Sequence, residues 1–333
     1  MVVPETHRRI VVLFSYSAAA MSALSFFPSG YSIGATLLLL GSIVVLVRHG
    51  FPDMDRLAWL AAVMMAGYSI YWIVSAALRG ADTAAFDQPS RMVLAVPVLI
   101  ATAKFGLRWS IIWIGIACGG VVAGLVGVYE AFIEMERRAS GFIGPEHFGN
   151  LSALFAAMSL AGLAWATETR QTSIYRLSLL LGVFGGLAGS VTSGTRASWV
   201  ALLLVLVILM IIFWWLHSRV ISTSIFAFLI VGVGLFSIYD DSSLVYRIQT
   251  SINDITSFYD EGKRDGSVSK RLEAWRGSAA LFLEKPLLGW GEKGYQSGMS
   301  GLAEEGYITK PVGDFNHAHN DWFNVAAKRG SIG

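Results

Sequence analysis

Long apolar stretches follow one another along the first two thirds of the chain, separated by short polar segments. Nine can be delimited, and the fourth is the shortest: residues 10–27, 31–47, 58–78, 90–104, 109–129, 150–167, 176–192, 197–216 and 220–239. An apolar run of about 17 to 25 residues is long enough to cross a bilayer as an α-helix. The pattern therefore predicts an all-α fold, a polytopic membrane bundle of about nine helices within residues 1–239.

Residues 240–318 break this pattern and form one long polar loop. Five apolar residues within it recur at spacings of four, three, four and three: Val268, Leu272, Trp275, Ala279 and Phe282. This is the period of an amphipathic helix, with Ser267 as its expected N-cap and Pro286 beyond its end. The glycine-rich segment PLLGWGEKGY that starts at Pro286 is expected to turn the chain.

The last residues, 319–333, are expected to begin a further helix. Asn320 or Asp321 is its expected cap, and the apolar residues Trp322, Phe323 and Val325 follow. A spanning helix that starts here would be cut off at Gly333, so the segment resembles the truncated start of another membrane helix.

The distribution of lysine and arginine predicts the orientation of the bundle, because positive residues are enriched in cytoplasmic loops. With the N-terminus inside, the cytoplasmic segments carry nine of these residues and the opposite short loops carry five: Arg79, Arg91, Arg137, Arg138 and Arg196. The polar loop 240–318 then lies outside. In a bacterium, this arrangement is a multi-pass protein of the inner membrane with its loop in the periplasm.

Composition supports the membrane assignment and excludes other classes. Apolar residues make up 54% of the chain and charged residues only 14%, with a mean hydropathy of +0.58, values outside ordinary soluble usage. The formal net charge of +2 gives no reason to expect a nucleic-acid partner. The single cysteine, Cys118, lies in an apolar run and is expected to be a small packing residue.

The apolar stretches have almost no ionisable residues in their interiors. Transporters and pumps generally carry such residues or broken helices near the membrane midplane. Four glycines could mark a broken transport helix in the seventh stretch, but close helix packing is the favoured interpretation: Gly182, Gly185, Gly186 and Gly189. The pattern favours an enzyme that works at one membrane face.

Three cationic features are predicted on the outer face. Arg196 follows Ser193-Gly194-Thr195 at the start of the eighth helix, where backbone N–H groups and the helix dipole favour an anion. Arg138 lies in the preceding outer loop, and Arg271 lies on the amphipathic helix. The alternatives are an interfacial anchor for Arg196, a charged loop for Arg138 and a solvated helix face for Arg271.

The histidines His317 and His319 are the remaining candidates for chemistry. A neutral imidazole can accept a proton from a hydroxyl group at neutral pH. The pair could instead ligate a metal or cap the next helix, but no further cysteine or histidine cluster supplies more ligands. We therefore expect a general base and no bound metal.

Four segments follow one another in the second part of the chain: RRASGFIGPEHFGN, SGTRASW, KRLEAWRGSAALFLEKPLLGWGEKGY, and a final HAHN in which His319-Asn320 is followed after nine residues by Gly330. Their order resembles the O-antigen ligase and polymerase superfamily of bacterial envelope enzymes. Together they cover residues 137–333. The resemblance is specific to the superfamily and less specific to the ligase within it.

The resemblance implies an inverting glycosyltransferase that needs neither metal nor nucleotide cofactor. Its donor would be O-antigen polysaccharide on undecaprenyl diphosphate, and its acceptor a sugar hydroxyl of the lipid A core. His319 would deprotonate the acceptor, while Arg196 and Arg271 would engage the diphosphate. Further substrate contacts are expected from Arg138, His317 and Asn320. Alternatives are an O-antigen polymerase, a protein O-oligosaccharyltransferase and, from another class, a polysaccharide transporter.

Overall fold

The computed structural model describes residues 5–51, 54–216, 252–258, 260, 264 and 266–332. Eight long helices account for most of the chain up to residue 216: α1 Glu5–Ala23, α2 Gly30–His49, α3 Arg56–Leu78, α4 Asp87–Phe105, α5 Trp109–Phe132, α6 Pro145–Glu168, α7 Ser173–Thr192 and α8 Arg196–Leu216. They coincide with the first eight apolar stretches, and the described residues contain no strand. The all-α prediction is confirmed. The ninth stretch, 220–239, lies outside the described residues.

Several of these helices are long and apolar enough to cross a membrane. Five qualify by length and composition among the described residues: α2, α3, α5, α6 and α7. In α8 the apolar part is Ala197–Ile212. Large side chains such as Leu204, Ile208 and Trp215 are exposed on this helix, which is the expected property of a surface that faces lipid. The chain is a multi-pass membrane protein.

The chain divides into two compact units. The first comprises Met1–Asp55 and Pro97–Leu235, and the second Arg56–Val96 and Phe236–Gly333. α4 contributes to both units, and it continues as a helix through Pro97. The second unit also contains a 3-10 helix, Thr83–Phe86, between α3 and α4.

Glycines allow two helices of the first unit, α5 and α7, to pack backbone against backbone. A Cβ atom on Gly120 would lie 2.4 Å from the carbonyl oxygen of Gly182, and one on Gly124 would lie 2.6 Å from the Cα atom of Gly185. Small residues permit this close approach where lipid provides no hydrophobic drive. Because α7 is unbroken from Ser173 to Thr192, the interpretation of its glycines as packing residues is confirmed.

Four helices of the second unit lie within residues 266–332: α9 Ser267–Glu284, α10 Gly291–Glu304, α11 Lys310–Gly313 and α12 Asp321–Arg329. Their shared core contains Leu281, Tyr295, Met299, Val312 and Ala327. The predicted amphipathic helix is confirmed as α9, although its N-cap is Gly266 rather than Ser267.

The glycine-rich segment after Pro286 is only partly a turn. Its second half begins α10, a helix that the glycine content concealed. One face of α10 buries Tyr295, Met299 and Leu302, and this burial offsets the low helix propensity of its glycines. Burial raises the pKa of Tyr295, and the hydrogen bond with Ser278 lowers it in part.

The second unit joins two segments that the sequence assigned to the same side of the membrane. Lys293 Nζ lies 3.0 Å from the carbonyl oxygen of Gly80 and 2.9 Å from Asp82 Oδ1. Gly80 and Asp82 follow the spanning helix α3, and Lys293 belongs to the polar loop. This contact agrees with the prediction that both segments lie on one side.

We expect Gly120→Ala to destabilise the first unit by about 1–3 kcal/mol, since the added methyl group overfills the α5–α7 contact. The measurement is the midpoint of thermal unfolding of the purified protein in detergent. Gly67→Ala in α3 is the control, because a Cβ there meets nothing within 4 Å. That variant should be as stable as the wild type or gain about 0.5–1 kcal/mol. Equal midpoints for the two variants would contradict the packing argument.

Candidate functional site

The predicted site residues fall into two groups, one in each unit. In the first unit, Arg138 is tied to the segment that precedes α8. Its Nε donates to the carbonyl oxygen of Ser193 (2.9 Å), and its Nη2 donates to Thr195 Oγ1 (3.3 Å). Two of the four segments that carry the family resemblance are thereby brought together. The charged-loop alternative does not account for these two bonds.

Two helix N-termini meet beside Arg138. Thr195 Oγ1 donates to the carbonyl oxygen of Pro145, the first residue of α6, at 2.8 Å. α8 begins at the next residue, Arg196, whose side chain lies outside the described parts. Helix N-termini carry unpaired N–H groups and partial positive charge. Together with the Arg138 guanidinium, they make this corner of the first unit suited to an anion.

In the second unit, His317 and His319 lie on an exposed loop between α11 and α12. Their ring centroids are 3.9 Å apart, and the ring of Phe315 meets that of His319 edge-on at 5.2 Å. His319 has a positive φ of 54°, a conformation that is uncommon outside glycine. Ala318 between them is fully buried. The backbone therefore turns so that both imidazoles share one exposed surface.

Asn320 caps the helix that follows the histidines. Its Oδ1 accepts hydrogen bonds from the backbone N–H groups of Trp322 (3.0 Å) and Phe323 (3.4 Å). Asn324 Oδ1 accepts from the N–H of Ala318 at 3.4 Å, so α12 in turn holds the histidine loop. The Asn of the H-N pair therefore fixes the position of the neighbouring histidine, a role that a cap performs without contacting substrate.

α9 and α12 pack side by side and run in the same direction. Trp275 on α9 stacks on Phe323 on α12, with ring centroids 5.6 Å apart and planes 12° from parallel. Beyond both helices, the N–H of Ser331 donates to the carbonyl oxygen of Pro286 at 2.8 Å. Since the two contacts occur in the same order along both segments, the helices are parallel.

The parallel arrangement brings two predicted residues to the same end of the bundle. Arg271 precedes Trp275 by four residues, and His319 precedes Phe323 by four residues. Packed helix axes are typically about 8–10 Å apart. Arg271 is exposed, and no residue in the described ranges pairs with it. A cation and a potential base are therefore available to a ligand at this end.

A buried carboxylate anchors α9 beside the exposed Arg271. Glu273 is fully buried and accepts hydrogen bonds from the N–H and hydroxyl groups of Thr309. Arg264 Nη1 lies 3.0 Å from its other oxygen, Oε1, without the alignment of a hydrogen bond. Removing one partner from a buried charge is strongly destabilising. These contacts fix the rotation of α9 and with it the side on which Arg271 is exposed.

The last residue of the H-N-x9-G pattern has a structural role. Gly330 ends α12 with a φ of 72°, and a Cβ atom there would lie 2.3 Å from the carbonyl oxygen of Leu287. Gly289 on the opposite segment is equally confined, because its Cβ would meet the backbone of Lys328 and Arg329 at 2.4 Å. The glycine therefore permits the contact that keeps α9 and α12 parallel.

The sequence did not reveal a second set of cations in this unit, formed by Arg79, Lys293, Lys328 and Arg329. One residue of this set could have been singled out from the sequence, because Arg79 follows a spanning helix on the side predicted to be poor in positive residues. For metal ligation, no three histidine, cysteine, aspartate or glutamate side chains come together within the part of the chain that is described.

We expect Gly330→Ala to destabilise the second unit by about 1–3 kcal/mol from the positive φ alone, with a further cost from the overlap with Leu287. Limited proteolysis of the purified protein should cleave residues 266–332 faster. Gly301→Ala is the matched control on α10, where a Cβ meets nothing within 4 Å. An unchanged rate of proteolysis in Gly330→Ala would show that the fold of the second unit does not depend on the close contact between Gly330 and Leu287.

Comparison with known proteins adds a match to a protein family. The family model described as O-antigen ligase matches residues 180–333. This range includes α8 and the four helices α9 to α12 of the second unit, and it confirms the resemblance noted in the sequence. A curated protein of Haemophilus influenzae (strain Rd), described as an uncharacterized protein, is 20% identical over 318 residues. The alignment covers 92% of this chain and 77% of that protein.

Proposed function

We propose that this chain, whose residues 180–333 match the O-antigen ligase family model, transfers O-antigen polysaccharide from undecaprenyl diphosphate to a sugar hydroxyl of the lipid A core. The family supports a membrane glycosyltransferase of the O-antigen ligase or polymerase type. The proposal adds the donor, the acceptor, and a reaction at the periplasmic face of the bacterial inner membrane that requires no metal or nucleotide.

The observation that carries the proposal is the placement of Arg271 and His319 at one end of two parallel helices. Both side chains are exposed there, whereas the neighbouring polar groups of Glu273 and Asn320 are engaged within the bundle. An imidazole and a guanidinium that has no partner among the described residues provide a proton acceptor and an anion-binding group. Transfer from a sugar diphosphate to a hydroxyl needs both.

The proposed mechanism assigns a separate role to each group. His319 accepts the proton of the acceptor hydroxyl as its oxygen attacks the anomeric carbon, and the bond from that carbon to the diphosphate oxygen breaks. In-line attack inverts the anomeric centre. Negative charge develops on the departing diphosphate, and arginine stabilises it through paired hydrogen bonds. We assign these contacts to Arg196 and Arg271, and we assign further substrate contacts to Arg138 and His317.

The identity of the acceptor can be tested in a strain that lacks the protein. We expect lipopolysaccharide without attached O-antigen and an accumulation of long lipid-linked O-antigen chains, detected by electrophoresis of both fractions. If single O-antigen units were still attached to the core, the protein would be a polymerase. Intact lipopolysaccharide with a lost protein glycan would indicate a protein O-oligosaccharyltransferase.

Substitution of the histidines tests the proposed base. His319→Ala should lower the rate of transfer by about 10²- to 10⁴-fold, the usual contribution of a general base. The purified protein is assayed with lipid-linked donor and acceptor. His317→Ala should have a smaller effect, because it removes a neighbouring ring and not the base. Equal rates for the two variants would reject the assignment to His319.

Lysine substitutions test the proposed diphosphate contacts. Arg196→Lys and Arg271→Lys should each lose about 10²- to 10³-fold in turnover at saturating acceptor, since a lysine cannot reproduce a planar two-pronged contact. Arg276→Lys is the control on the same helix. Arg276 lies 4.1 Å from the ring centroid of Tyr307, a cation–π contact that lysine can also make. Three variants with the same turnover would refute the proposed contacts.

A further inference from the structure

A cleft of about 150 Å³ lies within the second unit, where the end of α3 meets the start of α10 and the end of α12. Its lining includes four cationic side chains and one carboxylate: Arg79, Lys293, Lys328, Arg329 and Glu292. It lies at the opposite end of α12 from His319. Nine helical residues span about 13 Å, so the cleft is separate from the proposed transfer site.

The cations of the cleft outnumber the available carboxylates. Lys328 Nζ lies 2.6 Å from Glu292 Oε2, and Arg329 Nη2 lies 3.5 Å from Glu292 Oε1, so both cations share one acid. Lys293 pairs with Asp82 outside the cleft. Arg79 donates only to backbone carbonyl oxygens, those of Leu288 (2.6 Å) and Lys328 (3.3 Å). Within the described residues, four positive charges therefore face two carboxylates, and Arg79 has no carboxylate partner.

Burial makes this excess of positive charge energetically unfavourable. The side chain of Lys328 is 7% exposed and that of Arg329 13% exposed, while Glu292 is 37% exposed. The guanidinium of Arg329 also lies 3.3 Å from the ring centroid of Trp72, a buried residue of α3. Charges removed from water interact strongly and need a counterion. An anion in the cleft would supply it.

The start of α10 adds donors to the same cleft. Gly291, Glu292, Lys293 and Gly294 form its first turn and line the cleft, and the N-cap Trp290 provides no side-chain hydrogen bond. N–H groups in the first turn of a helix have no partner within the helix. A Cβ atom at Gly291 would meet the guanidinium of Arg79 at 2.8 Å. The glycine thus leaves space for Arg79 over these N–H groups.

We propose that the cleft binds a phosphate ester at the membrane surface. A phosphate presents several acceptor oxygens, which matches a guanidinium fork, ammonium groups and a helix N-terminus on different sides. The position supports a ligand from the membrane surface, because Arg79 directly follows α3, one of the helices able to span a bilayer. Two sources share this chemistry, a phosphorylated sugar and a phospholipid headgroup.

A purely structural role for the cations makes a different prediction. If the cations only hold α3 against α10 and α12, Glu292 is their essential ion-pair partner. Glu292→Gln should then destabilise the contacts that form the cleft. If they bind phosphate, Glu292 competes with the ligand for Lys328 and Arg329. Its neutralisation should then strengthen binding.

The test measures phosphate binding to the full chain purified in a neutral detergent. Arg196→Ala and Arg271→Ala are both present in the background, so that binding at the proposed transfer site does not contribute. One arm titrates glucose 1-phosphate, and the other titrates short-chain phosphatidylglycerol with phosphatidylcholine of the same chain length as its control. Line broadening of the ³¹P resonance reports the bound fraction.

We expect saturable binding at one site per chain in at least one arm. Loss of one charge-assisted hydrogen bond should weaken it by about tenfold in Arg79→Gln and in Lys293→Gln, and Glu292→Gln should tighten it. Lys293 is exposed at the surface, so its variant is expected to fold even if Arg79→Gln does not. Lys310→Gln is the control, because Lys310 is also exposed but lies outside the cleft.

The arm that shows binding identifies the source as sugar phosphate or lipid headgroup. Absence of binding in both arms would overturn the proposal. Wild-type affinity in Lys293→Gln, or weaker binding in Glu292→Gln, would also overturn it. None of these outcomes depends on glycosyl transfer, so the site can be tested whether or not the proposed function holds.

Discussion

The parallel contact between α9 and α12 is the constraint on which the second unit depends. The stack of Trp275 on Phe323 fixes its middle, and the backbone approach of Gly330 to Leu287 fixes its end. A one-turn shift of either helix would separate Arg271 from His319 by a further 5.4 Å or so along the axis. The arrangement of the candidate site is therefore a consequence of packing at residues that have no chemical role themselves.

The membrane helices associate for a different reason, because apolar side chains gain no hydrophobic free energy when they move from lipid into a helix–helix contact. α5 and α7 associate through glycines that let the two backbones touch. Their exposed faces remain apolar, and ionisable residues are concentrated at the helix ends and in the polar loop. Charged side chains are thereby placed at the ends of the spanning helices and in the polar loop, where the proposed reaction would take place.

Counting lysine and arginine residues in each loop does not explain why some of them lie on the predicted outer side. The contacts of these residues in the structure do explain it. Arg138 bonds to the segment that starts α8. Arg79 bonds to carbonyl oxygens of the polar loop. These arginines weaken the charge asymmetry expected from topology, and each is held in place by residues distant in sequence. An arginine that opposes the charge bias is therefore a good place to look for an anion site.

The sequence by itself determined the all-α class, eight helices with bounds close to those observed, the amphipathic helix α9 and the candidate residues. These properties follow from local periodicity and from apolar runs long enough to cross a bilayer, and both are visible within a stretch of about 20 residues. Helix α10 was missed because its glycines signal a turn, and only burial of Tyr295 and Met299 in a shared core stabilises it as a helix.

Tertiary structure alone decided which distant residues meet. Arg79 and Lys328 are 249 positions apart in sequence, and Lys328 and Glu292 are 36 apart. No local pattern encodes such pairs, because they depend on the direction in which helices pack and on where glycine permits contact. The parallel course of α9 and α12, and the cationic cleft at their far end, follow from that packing.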